Sequence, residues 1–531
     1  MKMNTERLAL VSMAAVALVT FYSFSELHRM STENISHRDI VAGFQDSGDE
    51  VSTSQSRVRV ADEGQAAPKV ARPQQASISP ELKCYAYPNT ELWGEVLGSA
   101  SITDSQEACC IRCQQYTPPN EHEPGCNVWM YCGDKSSCGL NYGECILKHL
   151  GHPEAVAPAK RGSDVAWTAG TLGVNIDGAD ADTNVVRKFH IVTTAQGSAV
   201  HWQVRIHYYW YKKQKWQCEQ DLGVDKCEMG GFTRLLHSGE PDDLMDEIPT
   251  MVVKPLPADM VENNWYVVLN RPYAFVQWVK QQNIPEKYVL MAEPDHVYIR
   301  PLKNFMTSES PAAFPFFYIE PAKKEYQDIT MKFTGQVSRT ELEQIAPIGN
   351  SPTFMTLEDM KTVMPLWMNI SIAIFKDPDA SKAWGWVQEM YGFAIGLFLG
   401  GIRHVDLYLH MMSQPPWDMN LEQSPGKPFY IIHYTYGMDY TLNGDFTPGK
   451  YGEWRFDKRT YAGQPIPRAL GDPPKGMKND LVRMLINSFN EATDATPCWD
   501  EYHATGKIPQ ACDEAPRGFL AEEASRKAAG P

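Results

Sequence analysis

The chain has 531 residues, 43% of them hydrophobic, enough to bury a sizeable core in more than one domain. Its formal net charge is -16, with 49 basic against 65 acidic residues. There is no basic stripe to neutralise a phosphate backbone, which argues against nucleic-acid binding.

Residues Leu8 to Phe24 (LALVSMAAVALVTFYSF) are uncharged and mostly apolar, follow Lys2 and Arg7, and are just long enough to span a bilayer. With a cytosolic tip, residues 1–30 read as an uncleaved transmembrane anchor; a signal peptide cleaved near Ser23-Phe24-Ser25 is the rival reading. Either way the rest of the chain enters the secretory lumen. Residues 31–80 are rich in Ser, Gln, Asp, Glu and Ala and nearly free of aromatics, so they cannot bury enough surface to fold and read as a stem. Asn34-Ile35-Ser36 within it is a glycosylation sequon.

Eight of the twelve cysteines fall between Cys84 and Cys145, as in a disulfide framework built in an oxidising compartment. Zinc is the rival, but only Cys110-x-x-Cys113 has zinc-like spacing. Cys218 is expected to pair with Cys227 and Cys498 with Cys512, although spacing alone does not fix connectivity. Residues 81–170 contain CNVWMYC (Cys126 to Cys132), CGLNYGECILK (Cys138 to Lys148) and AWTAG (Ala166 to Gly170). These motifs resemble the PAN/apple family. The resemblance implies a small disulfide-rich α+β fold that binds protein or carbohydrate; a plain spacer is the alternative. Residues 171–187 read as a linker.

From 188 to 460, apolar strands alternate with aromatic helices, which predicts an α/β domain with a mostly parallel sheet. Phe189 to Thr194 reads as its first strand and Ala199 to Gln214 as the helix that follows. In Tyr288 to Ile299 (YVLMAEPDHVYI) a buried strand stops at Glu293-Pro294-Asp295. Both acids then lie at a strand's carboxyl end, where open α/β sheets bind ligands. Carboxylates there suit a divalent ion that neutralises a departing nucleoside diphosphate. His433 ends a later apolar run, FYIIHYTYG, and completes a candidate set suited to Mn²⁺, with Mg²⁺ as the alternative. A solvated turn and a structural histidine are the plainer readings.

GEWRFDKR supplies Arg455, Lys458 and Arg459 for diphosphate oxygens, or else a salt-bridged turn. Glu389 in WGWVQEMYGF has helical spacing among aromatics; burial would raise its pKa and fit it for proton transfer, whereas a surface position would leave it ordinary. Residues 461–531 read as a Pro-rich extension with a helical stretch near Leu481 to Asn490 and no assigned function.

Between Arg205 and Arg459 the stretches RIHYYWYKKQK, EMGGFTRLLHSG, PDDLMDEIPT, VLNRPYAFVQW, YVLMAEPDHV, AFPFFYI, PIGNSP, WMNIS, GWVQEMYG, QPPWD, HYTYG and GEWRFDKR run in that order. Together they resemble plant and algal hydroxyproline O-arabinosyltransferases. The resemblance implies a GT-A-like, Rossmann-type transferase that moves L-arabinofuranose from UDP-L-arabinofuranose to 4-hydroxyproline in secreted or cell-wall glycoproteins. It also implies retention of anomeric configuration, dependence on manganese, and a single-pass type II protein of the Golgi membrane with a lumenal catalytic domain.

By that resemblance Glu293, Asp295 and His433 are metal ligands, and Glu389 and Asp418 are catalytic candidates. Thr194, Arg205, Arg271, Asn350, Asn369, Trp417, Arg455 and Lys458 are substrate-binding candidates. Asn369 also begins a second sequon, Asn369-Ile370-Ser371, but its apolar neighbours predict that it is buried in the site. Tyr208, Tyr209, Trp210, Tyr211, Trp386 and Trp417 are candidates to line an aromatic groove for a polyproline II acceptor, although most such stripes are core. Two departures stand out: the acidic triplet begins with Glu rather than Asp, and a cysteine-rich module precedes the catalytic region. The rival functions are a transferase adding galactose or another pentose to Ser, hydroxyproline or an existing glycan, and a non-catalytic glycoprotein-binding protein.

Overall fold

The computed structural model describes residues 82–119, 124–150, 159–162, 165–173, 176, 186–261, 265–306 and 310–529. The expected anchor, stem and Asn34 sequon lie outside them. Among the described residues no helix is long and apolar enough to cross a membrane.

The cysteine-rich module is an antiparallel sheet with one helix against it. Strands β1 (Cys84–Tyr87), β4 (Val128–Tyr131), β5 (Glu144–His149) and β6 (Thr168–Leu172) adjoin in the order β1-β6-β4-β5, while β2 (Glu95–Val96) and β3 (Ser101–Ile102) both pair with β5. Helix α1 (Gln106–Gln114) begins at Ser105, whose side chain accepts the Ala108 N–H, and buries Cys109, Cys110 and Cys113. Those three cysteines cross-link the helix to Cys145, Cys84 and Cys126, and Cys132–Cys138 closes a short loop. Cys218–Cys227 and Cys498–Cys512 take the remaining four, so no thiol is left for zinc. The module's apolar clusters are small, and in such a domain each cross-link contributes about 2–4 kcal/mol that burial alone does not supply.

The second sheet has seven strands: β7 (Phe189–Thr194), β8 (Met229–Leu236), β9 (Thr250–Val252), β10 (Tyr288–Ala292), β12 (Ala312–Pro315), β13 (Ile348–Thr356) and β14 (Asp406–Leu407). They lie in the order β9-β8-β7-β10-β13-β12-β14. The first four are parallel, β13 runs antiparallel between β10 and β12, and β14 is parallel to β12. Every residue of β7, β10 and β13 is buried, which explains the mostly apolar character of β7 and β10. From β7 the chain goes to β8 on one side and later returns to β10 on the other. That reversal opens a crevice at their carboxyl ends.

Helices cover both faces of this sheet. On one, α3 (Asn270–Gln281), α4 (Leu357–Lys376) and α5 (Gln388–Leu399) bury Phe275, Trp278, Trp367 and Phe393. On the other, the long α2 (Ser198–Leu222) packs with α6 (Asp480–Ala495), where Trp202 meets Phe489 edge to face. Tyr209, Trp210 and Tyr211 are largely buried in this core, and Tyr209 also lines, with Tyr208, a pocket beside Pro497 and Leu520. Residues beyond 460 belong to the same core through Ile466, Leu485, Trp499 and Tyr502. A small three-stranded sheet, β11 (His296–Tyr298), β16 (Ile431–His433) and β15 (Met412–Ser413), extends from the end of β10.

Candidate active site

Pro294 interrupts strand pairing immediately after β10, and the His296 N–H closes the turn by donating to the Glu293 carbonyl at 3.2 Å. The chain then enters β11, which pairs antiparallel with β16 so that His296 lies opposite His433. Asp295 therefore sits beside the histidine that ends β16. Its Oδ2 is 3.2 Å from His433 Nε2, and Glu293 Oε2 is 4.0 Å from the same nitrogen. Lys458 Nζ also contacts Asp295 Oδ2. Burial raises the Asp295 carboxyl, but the charges of Lys458 and His433 outweigh it and hold the group well below the usual carboxylate range.

These residues suit a divalent ion. Ligand atoms of Asp295, His296 and His433 lie within 4.8 Å of one another, and all three residues are buried. Asp295 Oδ1, His296 Nε2 and His433 Nδ1 have no hydrogen-bond partner among the described residues, and His433 Nε2 has only its 3.2 Å approach to Asp295 Oδ2. Buried polar atoms left unpaired are costly, so a cation that takes up these lone pairs would offset a standing penalty. Carboxylate plus imidazole favours Mn²⁺ over Mg²⁺, which prefers oxygen alone.

A second group adjoins the first through Glu293. Arg271 Nη1 on α3 is 3.0 Å from Glu293 Oε1, 3.3 Å from Asn350 Oδ1 at the start of β13, and 3.6 Å from Glu389 Oε2 on α5. One guanidinium thus serves two acids. Burial pushes Glu389 up to about 7, with Arg271 opposing and Glu293 adding to the rise. Burial lowers Arg271, but the two carboxylates raise it further, so it stays charged. Glu389 Oε1 has no hydrogen-bond partner among the described residues. Its backbone is fixed by Trp367 Nε1, which donates to the Glu389 carbonyl at 3.1 Å. A carboxyl held near neutrality in this way can accept or release a proton.

The structure places the other candidates as follows. Thr194 ends β7 at the crevice and is buried. Arg455 and Arg459 both pair with the buried Asp457 at 2.7 Å, which makes GEWRFDKR a salt-bridged turn with Lys458 left to reach Asp295. Trp417 is 45% exposed, with ring edges of Tyr436 and Phe446 against it. Asp418 accepts the Gln414 N–H at 2.7 Å, and burial raises its pKa. Parallel pairing of β15 with β16 puts this 414–418 turn at the same sheet edge as His433.

Two expectations are corrected. Arg205 does not join the cluster: it pairs with Glu247 at 2.7 Å and stacks over Trp499 and Tyr502 beside the C-terminal helices. Asn369 is exposed rather than buried. Its helix turns Trp367, Ser371 and Ile374 inward, and that spacing rotates Asn369 to the solvent side despite apolar neighbours. The sequence reading missed His296, although its position directly after the acidic triplet was a usable signal. It also missed His237, just beyond β8, whose pKa is lowered to about 4 by burial and the Arg271 charge. Nothing local in LLHSG marks that residue.

Comparison with known proteins gives a consistent result. The profile "Hydroxyproline O-arabinosyltransferase family N-terminal domain" matches residues 189–407, and the corresponding C-terminal domain matches 430–500. Hydroxyproline O-arabinosyltransferase RDN2 of Medicago truncatula is 50% identical over 313 residues, covering 59% of this chain and 82% of the relative. Hydroxyproline O-arabinosyltransferase 1 of Arabidopsis thaliana is 48% identical over 319 residues, 60% of this chain and 82% of the relative. A peptidyl serine alpha-galactosyltransferase of Arabidopsis thaliana is 23% identical over 250 residues, 44% of this chain and 28% of the relative.

Proposed function

The chain belongs to the hydroxyproline O-arabinosyltransferase family, and on that premise we propose that the cluster at the carboxyl ends of β7 and β10 is its active site. The enzyme is a glycosyltransferase that arabinosylates hydroxyproline in protein acceptors; the donor in our reading is UDP-L-arabinofuranose. The observation that carries the site assignment is the meeting of Glu293, Asp295 and His433 with the cations Arg271 and Lys458 at the crevice.

Asp295 and His433, with Glu293 and the adjoining His296, would hold Mn²⁺, or Mg²⁺ in its place. A divalent ion there supplies charge neutralisation for the departing diphosphate. Lys458, freed from Asp295, adds a point charge for diphosphate oxygens, while Arg271 and Asn350 orient Glu293 and Glu389. Glu389 Oε1 takes up the proton or partial positive charge that develops at the reacting centre, and burial excludes competing water. Thr194 bounds the donor side. Trp417 presents an open ring to an extended, proline-rich acceptor, with Asp418 beside it.

In this reading the seven-stranded sheet is a GT-A-like nucleotide-sugar fold, the cysteine-rich module is an apple-like domain that holds the acceptor glycoprotein, and the enzyme works in the Golgi lumen on a type II anchor.

The test is transfer by the purified enzyme from a panel of UDP-sugars to a hydroxyproline-rich peptide and its proline-only counterpart. Hydroxyproline-dependent transfer from UDP-L-arabinofuranose is expected. Preference for UDP-galactose would shift the donor assignment toward the distant galactosyltransferase relative, and absence of transfer from every donor would revive a binding role.

A further inference from the structure

The exposed Asn369 has a consequence unconnected with sugar transfer to hydroxyproline. It opens the sequon Asn369-Ile370-Ser371. Helix α4 buries Met360, Val363, Met364, Trp367, Ser371 and Ile374, and leaves Glu358, Thr362, Asn369 and Ala373 to solvent. Asn369 is exposed and its side chain makes no hydrogen bond to any described residue, so no such bond is lost if its amide is substituted. All twelve cysteines are paired in six disulfides, which places the chain in the oxidising compartment where N-glycosylation occurs.

We propose that Asn369 carries an N-linked glycan. In that step the anomeric carbon of a lipid-diphosphate-linked oligosaccharide exchanges its bond to the diphosphate oxygen for a bond to Asn369 Nδ2. The amide loses one proton and the lipid diphosphate leaves, with no change of oxidation state.

The folded structure also fixes the order of events. Ser371, whose hydroxyl completes the sequon, is 0% exposed, and a Cβ at Gly392 of α5 would lie 2.3 Å from its Oγ. An enzyme that reads both the Asn and the Ser cannot reach that hydroxyl once α4 has packed on α5. Modification therefore precedes closure of this helix pair, and the glycan then covers the outer stripe of α4. The face of α4 that supports α5 and Glu389 points the other way, so the glycan lies away from the reacting groups.

The test uses the full chain made in a eukaryotic secretory host. Trypsin releases Thr362–Lys376, which contains Asn369, and Met30–Arg38, which contains Asn34. Amidase release of N-glycans in heavy-oxygen water converts a glycosylated Asn to labelled Asp. The expected result is Thr362–Lys376 recovered with the label at 369, and one glycan fewer on gels for Asn369→Gln, a solvent-facing change that spares the core. Recovery of Thr362–Lys376 mainly unlabelled overturns the proposal. If Met30–Arg38 is labelled in that case, the chain reached the machinery and α4 closed first; if neither peptide is labelled, the secretory premise falls with it.

Discussion

Burial and one shared guanidinium set the protonation of Glu389. Its folded-state pKa of about 7 lies above the usual glutamate value of 4.5, because burial outweighs Arg271. Folding therefore takes up a proton between these values: the contribution to stability is complete below 4.5 and is lost as the pH rises through about 7. Glu389→Gln mimics the neutral acid and cannot titrate. Urea melts should show the wild type losing stability relative to this variant between about pH 5 and about pH 8; parallel curves would sink the assignment. The same variant should slow transfer by about 10²–10⁴-fold if Glu389 handles the proton.

At the scale of elements, the α4–α5 contact positions Glu389, and it depends on small residues. A Cβ at Gly392 would lie 2.3 Å from Ser371 Oγ and 3.1 Å from the Ser371 backbone. Gly392→Ala should cost about 1–3 kcal/mol for overpacking, against about 1 kcal/mol of helix propensity gained. A lowered urea midpoint is expected, together with lost activity, since Glu389 lies one turn earlier on the same helix; a raised midpoint would contradict the close packing. The strands that frame the crevice were legible in the sequence because β7 and β10 are short apolar runs stopped by turn residues, and Pro294 marks where the acids leave the sheet. The partnership of Arg271, Asn350 and Glu389 was not legible as geometry, because α3, β13 and α5 are brought together only by packing on the sheet. Asn369 misled because WMNISIAIF is apolar enough to hide a helical period, which the inward turn of Trp367, Ser371 and Ile374 reveals.

At the scale of the whole molecule, the cysteine-rich module meets the catalytic domain through charged side chains. His149 Nε2 lies 3.1 Å from Glu343 Oε1, and Arg339 bridges Glu343 at 3.1 Å and Glu95 at 3.2 Å. Burial lowers the His149 pKa, but the hydrogen bond and charge of Glu343 outweigh it, and the net shift is upward. The pairing thus contributes fully below the usual histidine value of 6.5 and is lost as the pH rises through the raised one. His149→Gln should lower the urea midpoint at about pH 6 and matter less at about pH 8.5; an equal loss at both would assign His149 a packing role alone. The central claim, that Glu293, Asp295 and His433 form the metal-dependent centre of an arabinosyltransferase, is tested most directly by measuring Mn²⁺ binding and transfer on the same preparations. Wild type should bind Mn²⁺ and transfer L-arabinofuranose to a hydroxyproline peptide, with chelator stopping transfer and Asp295→Asn or His433→Ala weakening both by about 10²-fold or more. Undiminished transfer in chelator, or by Asp295→Asn, would contradict it.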